Sequence, residues 1–184
     1  MAPQNVEMLQ WRIKALQVTG QIGEAVAVKL AGRNQADEPA RAGKLYFSFT
    51  EAPLKDELRV GDLFRYWGGE ALYNSHDKDP QTGPVLAAIG SPRLVEVCLP
   101  VIDLRTPALP MRQMTQQFLA SRGLSALDRD YVDSTTRPVA AASISRILSA
   151  QDVDFDSLTG FHKWRGPLSL NEYSLPEKQR RNSQ

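Results

Sequence analysis

Cysteine is almost missing from this chain of 184 residues: Cys98, inside the apolar run "LVEVCLP", is the only one. A single thiol excludes a disulfide within the chain and any metal site built on several thiolates. In that setting it is expected as a small buried hydrophobe. Histidine is nearly as scarce, with His76 and His162 the only two, too few and too far apart for a zinc site. Long hydrophobic runs are lacking, since none approaches the roughly 20 residues that cross a bilayer. The opening "MAPQNVEMLQW" has no cationic stretch followed by an apolar one, the pattern of a secretory leader. Together these absences lead us to expect a cytoplasmic protein with no membrane partner. A charge excess is lacking too: 22 Lys and Arg stand against 21 Asp and Glu. A protein that binds nucleic acid by neutralising phosphates usually carries a basic surplus, so nucleic acid remains a possible partner only through a local patch.

What is present looks globular, with 42% hydrophobic and 23% charged residues, enough for one full-sized domain. We read residues 1–175 as that domain and "PEKQRRNSQ" (176–184) as a disordered polar tail. Between Met8 and Gly32, apolar residues alternate at Trp11, Ile13 and Ala15 and again at Val26, Val28 and Leu30, as in strands. Val6, Leu9, Ile13 and Leu16 fit a helix about as well, so residues 6–18 stay open. "KLYFSFT" (44–50) alternates and is aromatic-rich, the pattern of a strand. "LFRYW" continues in the same manner after a break at Gly61-Asp62, and "SPRLVEVCLPVIDL" reads as a strand buried on both faces. After Pro107 the spacing becomes helical, in "LPMRQMTQQFLASRG" and again in "STTRPVAAASISRILSAQ". The expected fold is α+β, mostly strands over the first ~105 residues and then two or more helices packing on the sheet.

Two groups of residues carry chemistry. The stretch "LFRYWGGEALYNSH" (63–76) gathers four aromatics, an arginine, paired glycines, Glu70 and His76. As a binding site, Arg65 offers a planar cation to a phosphate or carboxylate, Tyr66 and Trp67 offer rings for stacking, and Glu70 adds a carboxylate. As plain structure, the rings fill a core and Gly68-Gly69 makes a turn. The glycine pair has the spacing of neither nucleotide-binding fingerprint. The second group is dispersed: Arg12 in "LQWRIKAL", Ser48 in "LYFSFT" and Glu96 in "RLVEVCLP", each expected on a strand. A carboxylate inside an apolar run is costly unless it is paired or functional.

An arginine, a strand hydroxyl and a glutamate on three strands resemble the arrangement of ADP-ribosyltransferases, over roughly residues 10–105. The resemblance implies an enzyme that consumes NAD as its substrate, a toxin or modifying factor. Arg12 would grip phosphate or ribose, Ser48 would organise the nicotinamide pocket, and Glu96 would stabilise the oxocarbenium-like state as nicotinamide leaves. Arg65, Tyr66, Trp67 and Glu70 would wall the same cleft. Where the family has Ser-Thr-Ser this chain has "SFT", and Leu94 stands two residues before Glu96; both departures point away from arginine as acceptor. Two other readings stand beside it. One is a module binding a nucleotide or nucleic acid without chemistry, because "LRVGDLFRYW" is similar to a turn and strand of small β-barrel RNA and DNA binders. It would use Arg59, Arg65, Tyr66 and Trp67, with Lys163 and Arg165. The other is a protein-interaction, assembly or inhibitor protein, which predicts an exposed apolar patch.

The acidic run Asp152, Asp154 and Asp156 lacks the glycine and glutamate of a calcium loop. No metal site is expected.

Overall fold

A computed structural model describes residues 1–124 and 132–163, apart from the side chains of residues 57–59 and 163. The expected tail at 176–184 and the cation Arg165 lie outside the described residues, as do the side chains of Arg59 and Lys163.

The chain opens with helices rather than strands. Helix α1 (Val6–Val18) starts where the Asn5 carboxamide accepts a hydrogen bond from the Met8 amide at 2.8 Å, which satisfies one of the free donors of the first turn. Its inward residues are Leu9 and Ile13, with Val6 and Leu16 beside them, while Trp11 is 70% exposed. Burial therefore selects the 3-4-3 spacing over the period of two. Helix α2 (Glu24–Gly32) buries Ala27 and Leu30 against α1 and leaves Val28 outside. Strand β1 (Leu45–Ser48) follows a run of turns. Then come α3 (Glu57–Arg65), α4 (Glu70–His76) and α5 (Gly83–Ala88), strand β2 (Arg93–Val97) and α6 (Ala108–Ser121). Strands β3 (Val132–Thr135) and β4 (Ile144–Ser149) precede α7 (Val153–Thr159).

The expectation of a strand-rich first half is corrected by this order. Within the first ~105 residues strands occur only at 45–48 and 93–97, and helices run through the whole described chain. "LFRYW" is the end of α3 and the start of the turn after it, and Gly61-Asp62 lies inside that helix rather than breaking it. Val60 and Phe64, four residues apart, reach the same core; in so short a stretch, aromatic content mimicked a strand. The expected helix over 134–151 is instead β3, a turn and β4. Strand β3 pairs antiparallel with β1, and β4 pairs antiparallel with β2. Those partners lie far back in the chain, so no local pattern could announce them. Each sheet has two strands, and β1 and β2 belong to different sheets. Strand β2 is correspondingly exposed at Arg93 and Glu96, not buried on both faces, and Cys98 beyond it is exposed rather than buried.

Among the described residues, two hydrophobic clusters form the interior. The larger joins α1, α2, α4 and α5 through Leu9, Ile13, Leu30, Leu72 and Leu86, with Tyr66 added from just after α3. The smaller centres on Phe155 and Phe161 with Leu148. There Phe64 stacks edge-on to Phe155 at 5.4 Å and to Phe161 at 5.9 Å. His76, fully buried at the end of α4, ties the larger cluster together. Its Nε2 is 2.6 Å from the Arg33 carbonyl and its Nδ1 is 2.9 Å from the Thr82 hydroxyl. A carbonyl only accepts, so Nε2 carries a proton and donates it to Arg33, while Nδ1 shares a hydrogen bond with the Thr82 hydroxyl. One ring thus fastens the end of α2 to α4 and to the start of α5.

Candidate functional site

A cleft of about 960 Å³ opens between the α3–α4 turn, the loop before β1, the exposed side of α1 and the segment between α5 and β2. The stretch 63–76 forms much of its wall, because Gly68 and Gly69 turn the chain sharply between two helices. Both have positive φ, at 87° and 62°. At Gly68 a Cβ would sit 2.4 Å from Cδ1 of the fully buried Leu72, so only glycine fits. The turn throws Arg65, Trp67 and Glu70 onto the cleft surface while Tyr66 packs inward, 4% exposed, with its ring 6.2 Å from that of Tyr73. His76 does not reach the cleft; it is the buried clamp described above.

The charge of the lining is one-sided. Arg12, Arg41, Lys44, Arg65 and Arg93 face it, against the single carboxylate of Glu70. Several of these cations already have partners. Arg41 pairs with Glu70 at 2.8 Å, Arg65 lies 3.8 Å from Asp62, and Lys44 donates to the Ala40 and Pro39 carbonyls. Arg12 differs. Its guanidinium stacks 4.9 Å over the Trp67 ring and donates to the Gln4 side-chain oxygen at 3.0 Å. No carboxylate among the described residues is within ion-pair distance of it. Burial lowers the Arg12 pKa from its ordinary value, the sign of a charge held partly out of water without a compensating anion. Glu70 also accepts from the Tyr73 hydroxyl at 3.3 Å. Burial is the main cause that raises the Tyr73 pKa, with the Glu70 charge adding to it.

Of the residues singled out in the sequence, Arg12, Arg65, Tyr66, Trp67 and Glu70 meet in this cleft. Ser48 and Glu96 are not among its lining. Ser48 ends β1, and its hydroxyl donates to the Thr50 carbonyl at 2.7 Å, closing a local turn. Glu96 lies on the exposed face of β2, bonded to Arg146 on β4 at 3.1 Å. Arg146 also reaches Asp154 at 2.8 Å. The carboxylate in the apolar-looking run is thus one end of a surface ion-pair ladder whose middle is Arg146. Arg12 sits on a helix, not on a strand beside the other two. Sequence reasoning missed Arg41, Lys44 and Arg93. They lie on a loop, its exit and the start of a strand, and only the fold gathers them.

Asp152 precedes α7, and its carboxylate accepts from the Ser149 amide and hydroxyl at 2.6 and 2.7 Å. Among the described residues no group of three or more His, Cys, Asp or Glu is placed to hold a metal ion, and no helix is long and apolar enough to cross a membrane. Comparison with known proteins finds no match among protein families, curated proteins or solved structures.

Proposed function

We propose that this chain is a binding module for a small anionic ligand with a planar ring, of the nucleotide class, held in the cleft beside Trp67. The observation that carries the reading is Arg12, a partly buried guanidinium with a ring on one side and no carboxylate partner among the described residues. A partly buried charge without an anion costs stability that a bound phosphate or carboxylate returns. Arginine suits such groups because its planar fork matches two oxygens at once. Four further cations around one carboxylate raise the local concentration of anions. Trp67 and the glycine turn supply a flat surface that a ring can approach closely. In the transferase reading NAD would occupy this same cleft, but the carboxylate which that chemistry needs is Glu96, engaged elsewhere with Arg146. For that reason we place binding ahead of catalysis.

The test is a titration of the purified chain with ATP, NAD and adenosine, followed by calorimetry, with Arg12→Met run alongside. Phosphate-bearing ligands are expected to bind and adenosine is not, and Arg12→Met should weaken binding at least about tenfold, or roughly 1.4 kcal/mol. Equal binding of adenosine and ATP, or no binding of any of the three, would overturn the reading. Assaying the NAD sample for released nicotinamide, with Glu96→Gln beside it, tests the transferase expectation in the same material.

A further inference from the structure

Helix α6 is seated the wrong way round for a helix that covers a core. Its buried residue is Gln113, 8% exposed, whose Oε1 has no hydrogen-bond partner among the described residues. Leu109 and Leu119 are half-buried, but three large apolar residues point outward: Met111, Met114 and Phe118 are 59%, 63% and 59% exposed. Their spacing of three and then four residues sets them in one line along the helix, the narrow seam by which one helix packs on another. A helix lying in a membrane interface shows a broader apolar face. The charged residues of this segment itself have one sign. From Leu104 to Leu124 there is no Asp or Glu. Arg105 stands before the helix and Arg122 after it, the latter 5.3 Å from the Phe118 ring. Arg112 is already engaged within the chain.

We propose that this face of α6 docks an amphipathic helix of a partner protein, with an apolar seam of its own and carboxylates flanking it. A second copy of this chain is the poorer occupant. In a two-fold antiparallel pairing, Arg105 of each copy would face Arg122 of the other, and like charges across an interface are repulsive. An acidic helix meets both arginines with opposite charge. The methionines suit the role, because their flexible thioethers adapt to a partner's surface. The site is separate from the cleft and does not depend on what the cleft binds.

The experiment uses a synthetic peptide of three heptads, with Leu at the seam positions and Glu flanking them, and a twin with Lys in place of Glu. Binding to the full chain is read by fluorescence anisotropy. The Glu peptide is expected to bind and the Lys twin is not. Phe118→Ala, and separately the double variant Arg105→Glu and Arg122→Glu, should each weaken binding at least about tenfold, with unchanged circular dichroism. Several results would overturn the proposal. Neither peptide binds, or both bind equally. The chain sediments as a dimer that Phe118→Ala dissolves, which assigns the seam to a second copy. Vesicles of phosphatidylserine bind and the peptide does not. Met111 and Met114 of the free chain resist hydrogen peroxide as buried methionines do, which assigns the seam to residues of the chain itself.

Discussion

Arg12 and Asp79 show two ways of treating a charge. Arg12 has no anion beside it among the described residues and carries the proposed ligand site; Asp79 is fully provided for. Its carboxylate lies 2.6 Å from the Lys29 ammonium and accepts from the amides of Gln81 and Thr82 at 2.9 and 3.0 Å. These contacts, the Lys29 bond foremost, hold the Asp79 pKa well below the ordinary carboxylate value. The charged form is therefore favoured by folding. Its contribution is fully present above the unfolded pKa of about 4 and is lost as pH falls through the lower folded value. Asp79→Asn removes that dependence. It is expected to lower stability at pH 7 by about 1 kcal/mol, and the gap from the parent should close as the pH drops below about 4. Urea unfolding at a series of pH values measures it. A gap that stays constant down to pH 2 would mean that the carboxylate charge is not what the amides and Lys29 stabilise.

Among the elements, α6 was legible in one respect and not in another. Its position was legible, because Met111, Met114 and Phe118 keep helical spacing and Gly123 follows with φ of 71°. Its orientation was not, because periodicity reveals an apolar face but not whether the core or a partner receives it. Strands were less legible for a related reason. Val139, Ile144, Ile147 and Leu148 fit a helix locally, yet β4 exists because β2 pairs with it from about 50 residues earlier. The cleft divides the same way. Arg65, Trp67 and Glu70 stood out because they crowd one stretch, whereas Arg41 and Arg93 meet them only through the fold. The orphaned Gln113 oxygen gives α6 a direct test. Gln113→Met keeps the shape and removes a buried acceptor with no donor, so it is expected to stabilise by about 1 kcal/mol. That would raise Tm by about 2–4 °C for a chain of this size. A fall in Tm by calorimetry would show that the amide has a partner that matters.

At the scale of the whole molecule, the question is whether the two hydrophobic clusters fold as one. The link between them is short. Phe64 belongs to the smaller cluster and Tyr66 to the larger, two residues apart, and both line the cleft, as Phe161 does. The cleft is therefore built from both interiors at once, and its shape should fail if either does. Phe155 is the residue to remove. It is fully buried, it stacks against Phe64 at 5.4 Å and Phe161 at 5.6 Å, and it is not part of the cleft lining. Phe155→Ala is expected to cost about 3–5 kcal/mol, the loss typical of a truncated core aromatic. If the clusters are one cooperative unit, tryptophan fluorescence, which includes Trp67 beside the larger cluster, and far-ultraviolet circular dichroism will lose their signals at the same lowered urea concentration. Ligand affinity at the cleft should fall with them, although Phe155 touches no ligand. If fluorescence keeps its parental midpoint while dichroism shifts, the clusters are separate cooperative units, and Phe64 and Tyr66 are neighbours in the chain without being coupled in stability.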